Sequence, residues 1–192
     1  KPISVAEQNE YASIEEYSEF LRKKTYMLAN PFEKDNNFRN TNPLKGHKSP
    51  KKIVTPASSE KMICEVENLR TLDCRLLQSK NYEVFFAKAK DIPNILHEIG
   101  RLREITFREV GEGTNESIDL DKYDQYYRHL FLWDDETNKI AGAYRMGLGC
   151  EIYPKYGMDG FYLNGLFRFE PELHEMLHKS IEMGRAFIIK EY

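Results

Sequence analysis

Six charged residues in the second half of the chain have the types and neighbours that suit the binding of a charged substrate. They are Arg103, Asp121, Asp124, Arg145, Glu182 and Arg185. Arg145 lies in the run AGAYRMG and Arg185 in the run MGRAFII, and charged side chains in such apolar strands are rarely buried unless they are paired. Two interpretations stay open: a structural salt-bridge network, or a polar cleft that holds a zwitterionic substrate.

The pair His129 and Asp134 has the spacing of the HxxxxD motif of glycerolipid acyltransferases, in which the histidine acts as a general base for a hydroxyl. Here the two residues bracket the apolar run LFLW, which predicts a strand. Side chains five positions apart on a strand point to opposite faces. We therefore interpret the match as a coincidence.

Two further patterns resemble ligand sites but lack residues that such sites need. His174 and His178 have the i, i+4 spacing of helical metal ligands, yet no third ligand is spaced nearby, which favours a solvated helix face. Gly111 and Gly113 follow a predicted helix rather than a strand, and no Lys-Ser/Thr pair follows them, which excludes a P-loop. A helix terminator accounts for the glycines better.

The composition indicates a folded globular protein. The 192 residues include 28 Lys and Arg against 31 Asp and Glu, and the net charge of −3 predicts no general nucleic-acid binding. The hydrophobic fraction of 41% and the aromatic fraction of 12% support a real core. Cys64, Cys74 and Cys150 form no CxxC pair, which argues against a disulfide scaffold or zinc finger and favours a reducing compartment.

Helical and strand patterns alternate, which predicts an α/β protein with a mixed sheet flanked by helices. We expect helices over Ser13–Leu28, from Thr55 to about Gln78, from Asp91 to the break at Gly111, and from Pro171. We expect strands over Tyr82–Ala89, His129–Trp133, Lys139–Leu148, Gly160–Leu163 and Met183–Lys190. The run DDETN predicts a hairpin turn. Because the last strand ends so close to Tyr192, we expect the sheet to be incomplete at this end.

Residues 40–56 predict a linker, since they combine prolines with four lysines and no aromatic side chain. The alternative is a basic strip that rests on anionic lipid headgroups, to which each lysine would contribute about 1 kcal/mol.

Five segments occur in a fixed order: LREITFREVG (Leu102–Gly111), DLDKYD (Asp119–Asp124), IAGAYRM (Ile140–Met146), FYLNGLFRF (Phe161–Phe169) and EMGRAFI (Glu182–Ile188). Together they resemble the bacterial GNAT-type N-acyltransferases, the hemolysin-like synthases of amino-acid lipids, and more distantly the acyl-homoserine-lactone synthases. The resemblance covers residues 82–192 and implies a GNAT-like, mostly antiparallel mixed sheet flanked by helices.

The segment SIEEYSEFLRKKTYMLA (Ser13–Ala29) is similar to the tail of a glycerolipid-type acyltransferase domain. The two resemblances together imply a fragment of a longer, bifunctional acyltransferase. Residues 1–39 are then the helical tail of an upstream domain, 40–56 the linker, and 57–192 the amino-terminal part of the GNAT-like domain. We expect this stretch to be inactive alone, because the donor-binding elements would follow Tyr192.

The family resemblance implies a role for each candidate residue. Glu182 is the expected base or amine-orienting group, and Arg185 acts with it. Asp121 and Asp124 hold the substrate ammonium, while Arg145 and Arg185 bind the substrate carboxylate or fix the acids. Arg103 and Phe107 border the acyl path.

The implied reaction moves a fatty acyl chain from an acyl carrier protein thioester to the amine of glycine, ornithine or a similar amino acid. The attack is direct, so no metal and no permanently bound cofactor is expected; acyl carrier protein, or acyl-CoA, supplies the acyl group. We expect a cytoplasmic protein that contacts the inner face of the membrane, binds no nucleic acid and forms homo-oligomers. The alternatives are an acetyl-CoA-dependent small-molecule acetyltransferase and a non-catalytic module that docks acyl carrier protein or membrane.

Overall fold

The computed structural model describes residues 13–29 and 49–192. The chain divides into two compact units, Lys1–His47 and Lys48–Tyr192. The first contains helix α1 (Ile14–Ala29), as the sequence predicts, and the Glu16 amide donates to the Ser13 hydroxyl at 3.2 Å as the N-terminal cap. No helix within the described ranges is long and apolar enough to cross a membrane.

The second unit is built on one five-stranded sheet in the order β1-β2-β3-β4-β5, in which every neighbouring pair is antiparallel. The strands are β1 (Arg75–Ser79), β2 (Tyr82–Lys88), β3 (Arg128–Asp134), β4 (Lys139–Leu148) and β5 (Ile181–Ile188). The predicted α/β class is confirmed, and the described sheet is antiparallel throughout rather than mixed. The DDETN run forms the predicted connection between β3 and β4.

Two helices cover one face of the sheet, α2 (Ser59–Thr71) and α3 (Pro93–Glu109). Their apolar sides and the alternate inward positions of the strands form one core, in which Phe85 stacks on Phe131 with ring centroids 5.4 Å apart. The N-terminus of α3 is capped by a residue of the neighbouring helix α2. The Glu65 carboxylate accepts the backbone amides of Asn94 and Ile95 at 2.9 and 2.8 Å.

A smaller apolar cluster lies beside the far end of β4. It contains helices α4 (Gly149–Tyr156) and α5 (His174–His178) together with three short 3₁₀ turns at 157–160, 162–165 and 171–173. Its buried members are Tyr127, Ile152, Phe161 and Leu177. This cluster supports the turn at 162–165, which contributes to the candidate site.

Some sequence-based expectations about the elements are wrong, and one helix was not predicted. The helix expected to run to Gln78 ends at Thr71, because Asp73 takes a left-handed backbone (φ 53°) and the chain turns back as strand β1. The strand expected at Gly160–Leu163 is a pair of 3₁₀ turns. Helix α4 was not predicted, because Pro154 lies inside it and glycines flank it.

The carboxyl-terminal part of the expected linker belongs to the second unit. The Lys51 amide donates to the Asn115 carbonyl at 2.9 Å, and the Val54 amide donates to the Ser117 carbonyl at 3.0 Å. Residues 49–56 therefore lie along the loop that follows α3. Residues 30–48, which hold the rest of the expected linker, lie outside the described residues.

The start of α4 tolerates no side chain, since a Cβ on Gly149 would lie 1.9 Å from the Leu177 carbonyl oxygen. We predict that Gly149→Ala lowers the free energy of unfolding by about 1–3 kcal/mol, the usual cost of overpacking. Gly165→Ala is the matched control, because nothing lies within 4 Å of its added Cβ. Urea denaturation of both variants tests this, and equal stabilities would contradict the packing described.

Candidate active site

The charged residues singled out from the sequence converge where α3 meets β4 and β5. Three arginines and three aspartates form one ion network: Arg103, Arg145, Arg185, Asp119, Asp121 and Asp124. Their formal charges cancel, three against three. The salt-bridge network left open by the sequence is therefore present. Arg145 and Arg185 also line a cavity, and the binding of a zwitterionic substrate there stays a prediction.

Arg103 is the buried centre of this network, with 1% of its surface exposed. Its Nε donates to the Asp119 carboxylate at 3.0 Å, and its two terminal nitrogens form a bidentate pair with Asp124 at 3.2 and 3.0 Å. The same guanidinium also donates to the Asp119 carbonyl. Arg103 therefore fixes the segment 119–124 to helix α3.

The aspartates are held by a local turn that their own sequence dictates. Asp121 caps the 3₁₀ turn Lys122–Gln125: its carboxylate accepts the Tyr123 amide at 2.8 Å, and the Asp124 carboxylate accepts the Asp121 amide at 2.8 Å. This reciprocal capping box places both carboxylates on one side of the turn.

Arg145 projects from β4 to the same carboxylates. Its Nη1 donates to Asp121 at 2.7 Å and to Asp124 at 3.2 Å. The guanidinium carbon lies 5.4 to 5.6 Å from the ring centroids of Tyr123, Tyr127 and Tyr162. Burial opposes the charge of Arg145, but the two carboxylates outweigh it and raise the arginine pKa.

Burial also opposes the charge on Asp124, whose carboxylate has no exposed surface. The positive charges and hydrogen bonds of Arg103, together with the charge of Arg145, outweigh that cost and hold the pKa of Asp124 below its usual range. Asp124 is thus an anion that stabilises two arginines.

Arg185 owes its position to a bulge in β5. Ala143 pairs with Phe187 and Arg145 with Gly184, so Arg185 and Ala186 together face the single residue between their partners on β4. Arg185 takes a left-handed backbone with φ 52°, and its Nη1 lies 3.3 Å from the Asp119 carboxylate. Bulges redirect side chains beside functional sites, as this one directs Arg185.

Glu182, near the start of β5, anchors the turn that begins at Tyr162. Its carboxylate accepts the Tyr127 hydroxyl at 2.5 Å and the backbone amides of Tyr162 and Leu163 at 3.1 and 3.0 Å. These bonds fix the 3₁₀ turn Tyr162–Gly165 against the sheet. Burial raises the pKa of Tyr127, and the hydrogen bond to Glu182 adds to the effect.

These groups lie beside a cavity of about 380 Å³. Its lining includes Phe107, Glu112, Tyr127, Arg145, Tyr162, Leu163, Glu182, Met183, Gly184, Arg185 and Ala186. Arg103, Asp121 and Asp124 do not line it; they lie behind Arg145 and hold it in place. The arrangement can therefore offer an anionic ligand group two cations, Arg145 and Arg185, within reach of a buried carboxylate.

Sequence reasoning missed two members of this arrangement, Asp119 and Tyr127. Asp119 accepts hydrogen bonds from both Arg103 and Arg185, and its position in the DLDKYD run could have suggested it. Tyr127 follows that run, but nothing in the sequence indicates that its hydroxyl meets Glu182, which lies 55 positions away.

The histidine patterns remain apart from the cavity. His129 is buried on β3, its Nε2 lies 2.9 Å from the Asp124 carbonyl oxygen, and burial lowers its pKa. Asp134, at the other end of β3, instead accepts hydrogen bonds from Asn81, Thr137 and Tyr192. His178 packs against the ring of Tyr153, and the described residues contain no group of three or more potential metal ligands.

Comparison of the sequence with known proteins identifies a family that it matches. Residues 102–192 match the family model described as "Acetyltransferase (GNAT) domain". Over 145 residues, 73% of the chain, the sequence is 35% identical to a "Glycine N(alpha)-acyltransferase" from Bacteroides thetaiotaomicron and 36% identical to one from Phocaeicola vulgatus. The aligned region covers 42% and 44% of those relatives, so the chain spans less than half their length. No solved structure matches the chain significantly.

Arg103 stabilises two buried carboxylates at once, so its loss should be costly. We predict that Arg103→Met lowers the free energy of unfolding by about 3–5 kcal/mol, as expected when one partner of a buried ion pair is removed. Lys51→Met is the control: Lys51 and Glu116 form a pair that is 62% and 55% exposed, and such pairs contribute about 1 kcal/mol or less. Chemical denaturation compares the two, and a loss below 1 kcal/mol for Arg103→Met would refute the role of the network.

The depressed pKa of Asp124 makes stability depend on pH in the acid range. Its carboxylate contributes stability that is fully present above the unfolded-state pKa of about 3.9, and that is lost as the pH falls through the lower folded-state pKa. We predict that Asp124→Asn is less stable at neutral pH and loses less further stability than wild type below about pH 4. Urea denaturation of both proteins from pH 7 to pH 2.5 measures this. If the free energy of unfolding fell equally with pH in Asp124→Asn and wild type, the prediction would be wrong.

Proposed function

Since the chain belongs to the GNAT-like N-acyltransferases, we propose that it carries the amine-binding part of an enzyme that acylates an amino acid. The acceptor is the amine of glycine or of another small amino acid such as ornithine. The donor is a fatty acyl thioester of acyl carrier protein, with acyl-CoA as the related donor that has the same thioester chemistry.

One observation carries this proposal: two arginines, Arg145 and Arg185, and one carboxylate, Glu182, line the same cavity. Arginine binds carboxylates through charge-assisted hydrogen bonds. Only Nη1 of Arg145 is hydrogen-bonded within the described part of the chain, which leaves its remaining donors for a ligand. An amino acid bound by these arginines would direct its amine toward Glu182 and Tyr127.

The other members of the ion network support Arg145 and Arg185 without touching the substrate. Arg103 and Asp124 are buried and fully engaged, so we assign them to positioning Arg145. Asp121 completes the same support. Phe107 lines the cavity and is our candidate for the border of the acyl path.

The reaction needs a neutral amine and a stabilised oxyanion. A base must take a proton from the substrate ammonium before attack on the thioester carbonyl, and Glu182 is our candidate. The bulge at Arg185 and Ala186 lines the cavity, and a bulge leaves backbone groups outside the ladder. We propose that these backbone groups bind the carbonyl oxygen of the thioester, since positioned backbone amides stabilise an oxyanion.

The product would be an acylated amino acid, which is amphiphilic. We propose that the enzyme acts in the cytoplasm and releases this product at the inner face of the membrane, and that acyl carrier protein docks beside the cavity. Self-association of the protein stays a prediction.

The experiment uses the full-length protein with fatty acyl thioesters of acyl carrier protein or CoA and a panel of amino acids, with N-acyl products measured by mass spectrometry. We expect product from glycine or ornithine. In Arg185→Met, the KM for the amino acid should rise about 10- to 100-fold, because a hydrogen bond to a charged group contributes about 1.5–3 kcal/mol. The KM for the thioester should stay unchanged.

Arg168→Met is the matched control, because Arg168 is exposed in the same region and does not line the cavity. Transfer of acetyl groups alone would favour a small-molecule acetyltransferase instead. Binding of the thioester without turnover would favour a docking module. Either result, or equal effects of Arg185→Met and Arg168→Met, would contradict the proposal.

A further inference from the structure

The hydroxyl of Tyr127 joins the cavity to Glu182. Tyr127 is 2% exposed and is one of the residues that line the cavity. Its hydroxyl donates to Glu182 Oε2 at 2.5 Å and accepts the Tyr162 amide at 3.0 Å. A distance of 2.5 Å is typical of a strong hydroxyl–carboxylate hydrogen bond.

We propose that Tyr127 is a catalytic residue that passes a proton from the substrate amine to Glu182. This inference rests on the proposed function, because it takes an amino-acid ammonium as the group that loses the proton. Tyr127 is absent from the set of residues that the sequence motifs indicate.

The hydrogen-bond geometry favours a route through the tyrosine. Glu182 Oε2 accepts the Tyr127 hydroxyl and shares the Tyr162 amide with it, while Oε1 accepts the Leu163 amide, and the bond to Tyr127 is the shortest of the three. A hydroxyl oxygen can accept two hydrogen bonds, and that of Tyr127 accepts one, from Tyr162. One acceptor site of Tyr127 is therefore left for a substrate N–H.

The proposed step balances without any further reactant. One ammonium N–H bond breaks as its proton joins the Tyr127 oxygen, while the original Tyr127 proton moves to Glu182 Oε2. Tyr127 stays neutral, Glu182 becomes a carboxylic acid, and the amine gains the lone pair that attacks the thioester. The thiolate that leaves takes the second amine proton, and Glu182 returns its proton to solvent.

The surroundings hold the ring of Tyr127 in this position. A Cβ on Gly147 would lie 2.6 Å from the ring, so only glycine on β4 leaves room for it. The ring also lies 5.4 Å from the guanidinium carbon of Arg145, which places the relay beside the expected carboxylate site. The raised pKa of Tyr127 agrees with a hydroxyl that stays protonated between turnovers.

The test compares Tyr127→Phe with wild type over a range of pH, using the full-length protein, glycine and an acyl carrier protein thioester. We expect kcat/KM to fall about 100-fold or more at neutral pH, since acid–base catalysis commonly contributes 10²–10⁴-fold. The loss of kcat/KM relative to wild type should become smaller as the pH rises, because a larger fraction of the free glycine then has a neutral amine.

Tyr126→Phe is the matched control. The Tyr126 hydroxyl donates to the Gly160 carbonyl in the same loop, but Tyr126 neither bonds to Glu182 nor lines the cavity. We expect this variant to keep the wild-type pH profile. Glu182→Gln, which keeps an acceptor oxygen but cannot take a proton, should show the same pH-dependent deficit as Tyr127→Phe.

The outcomes separate this inference from the proposed function. If wild type acylates glycine and Tyr127→Phe loses the same factor at every pH, or nothing, the relay is wrong and the proposed function stands. If wild type acylates no amino acid at any pH, both are wrong. Melting temperatures of all three variants show whether a loss reflects unfolding, and a folded Glu182→Gln protein with a wild-type profile would also overturn the relay.

Discussion

The structure depends on one buried guanidinium. The side chain of Arg103, on α3, is buried. It can remain charged there only because it forms salt bridges with Asp119 and Asp124. Those aspartates in turn require Arg145 and Arg185, so the balance of charge extends from the helix to two strands. A neutral cluster of this kind lets charged side chains stand in an otherwise apolar interior.

The same network positions two of the groups that line the cavity. Arg145 is bonded to carboxylates on one edge only, and the bulge in β5 directs Arg185 toward the same space. Glu182 lines the same cavity, and it fixes the turn that begins at Tyr162 while it bonds to Tyr127. Positive and negative groups thus line one small volume, which is why we propose a zwitterion rather than a simple anion as its ligand.

Much of this could be predicted from the sequence, and the failures have physical causes. Arginines inside apolar strands must be paired, so the network was predictable from Arg145 and Arg185. Strand β1 was not predictable, because its leucines continue the helical spacing of α2. Only the left-handed turn at Asp73 ends that helix. The bulge at Arg185 and the bond from Tyr127 to Glu182 arise from strand register and tertiary packing, which local patterns do not encode.

The central claim is that Arg145 and Arg185 select the carboxylate of an amino acid, and binding tests it most directly. Glycine and glycinamide have the same backbone atoms and an amine, but only glycine carries the carboxylate. Calorimetric titration of each into the full-length protein should show glycine bound at least about 10-fold more tightly, since a charge-assisted bond contributes about 1.5–3 kcal/mol. Equal affinities, or tighter binding of glycinamide, would contradict the account.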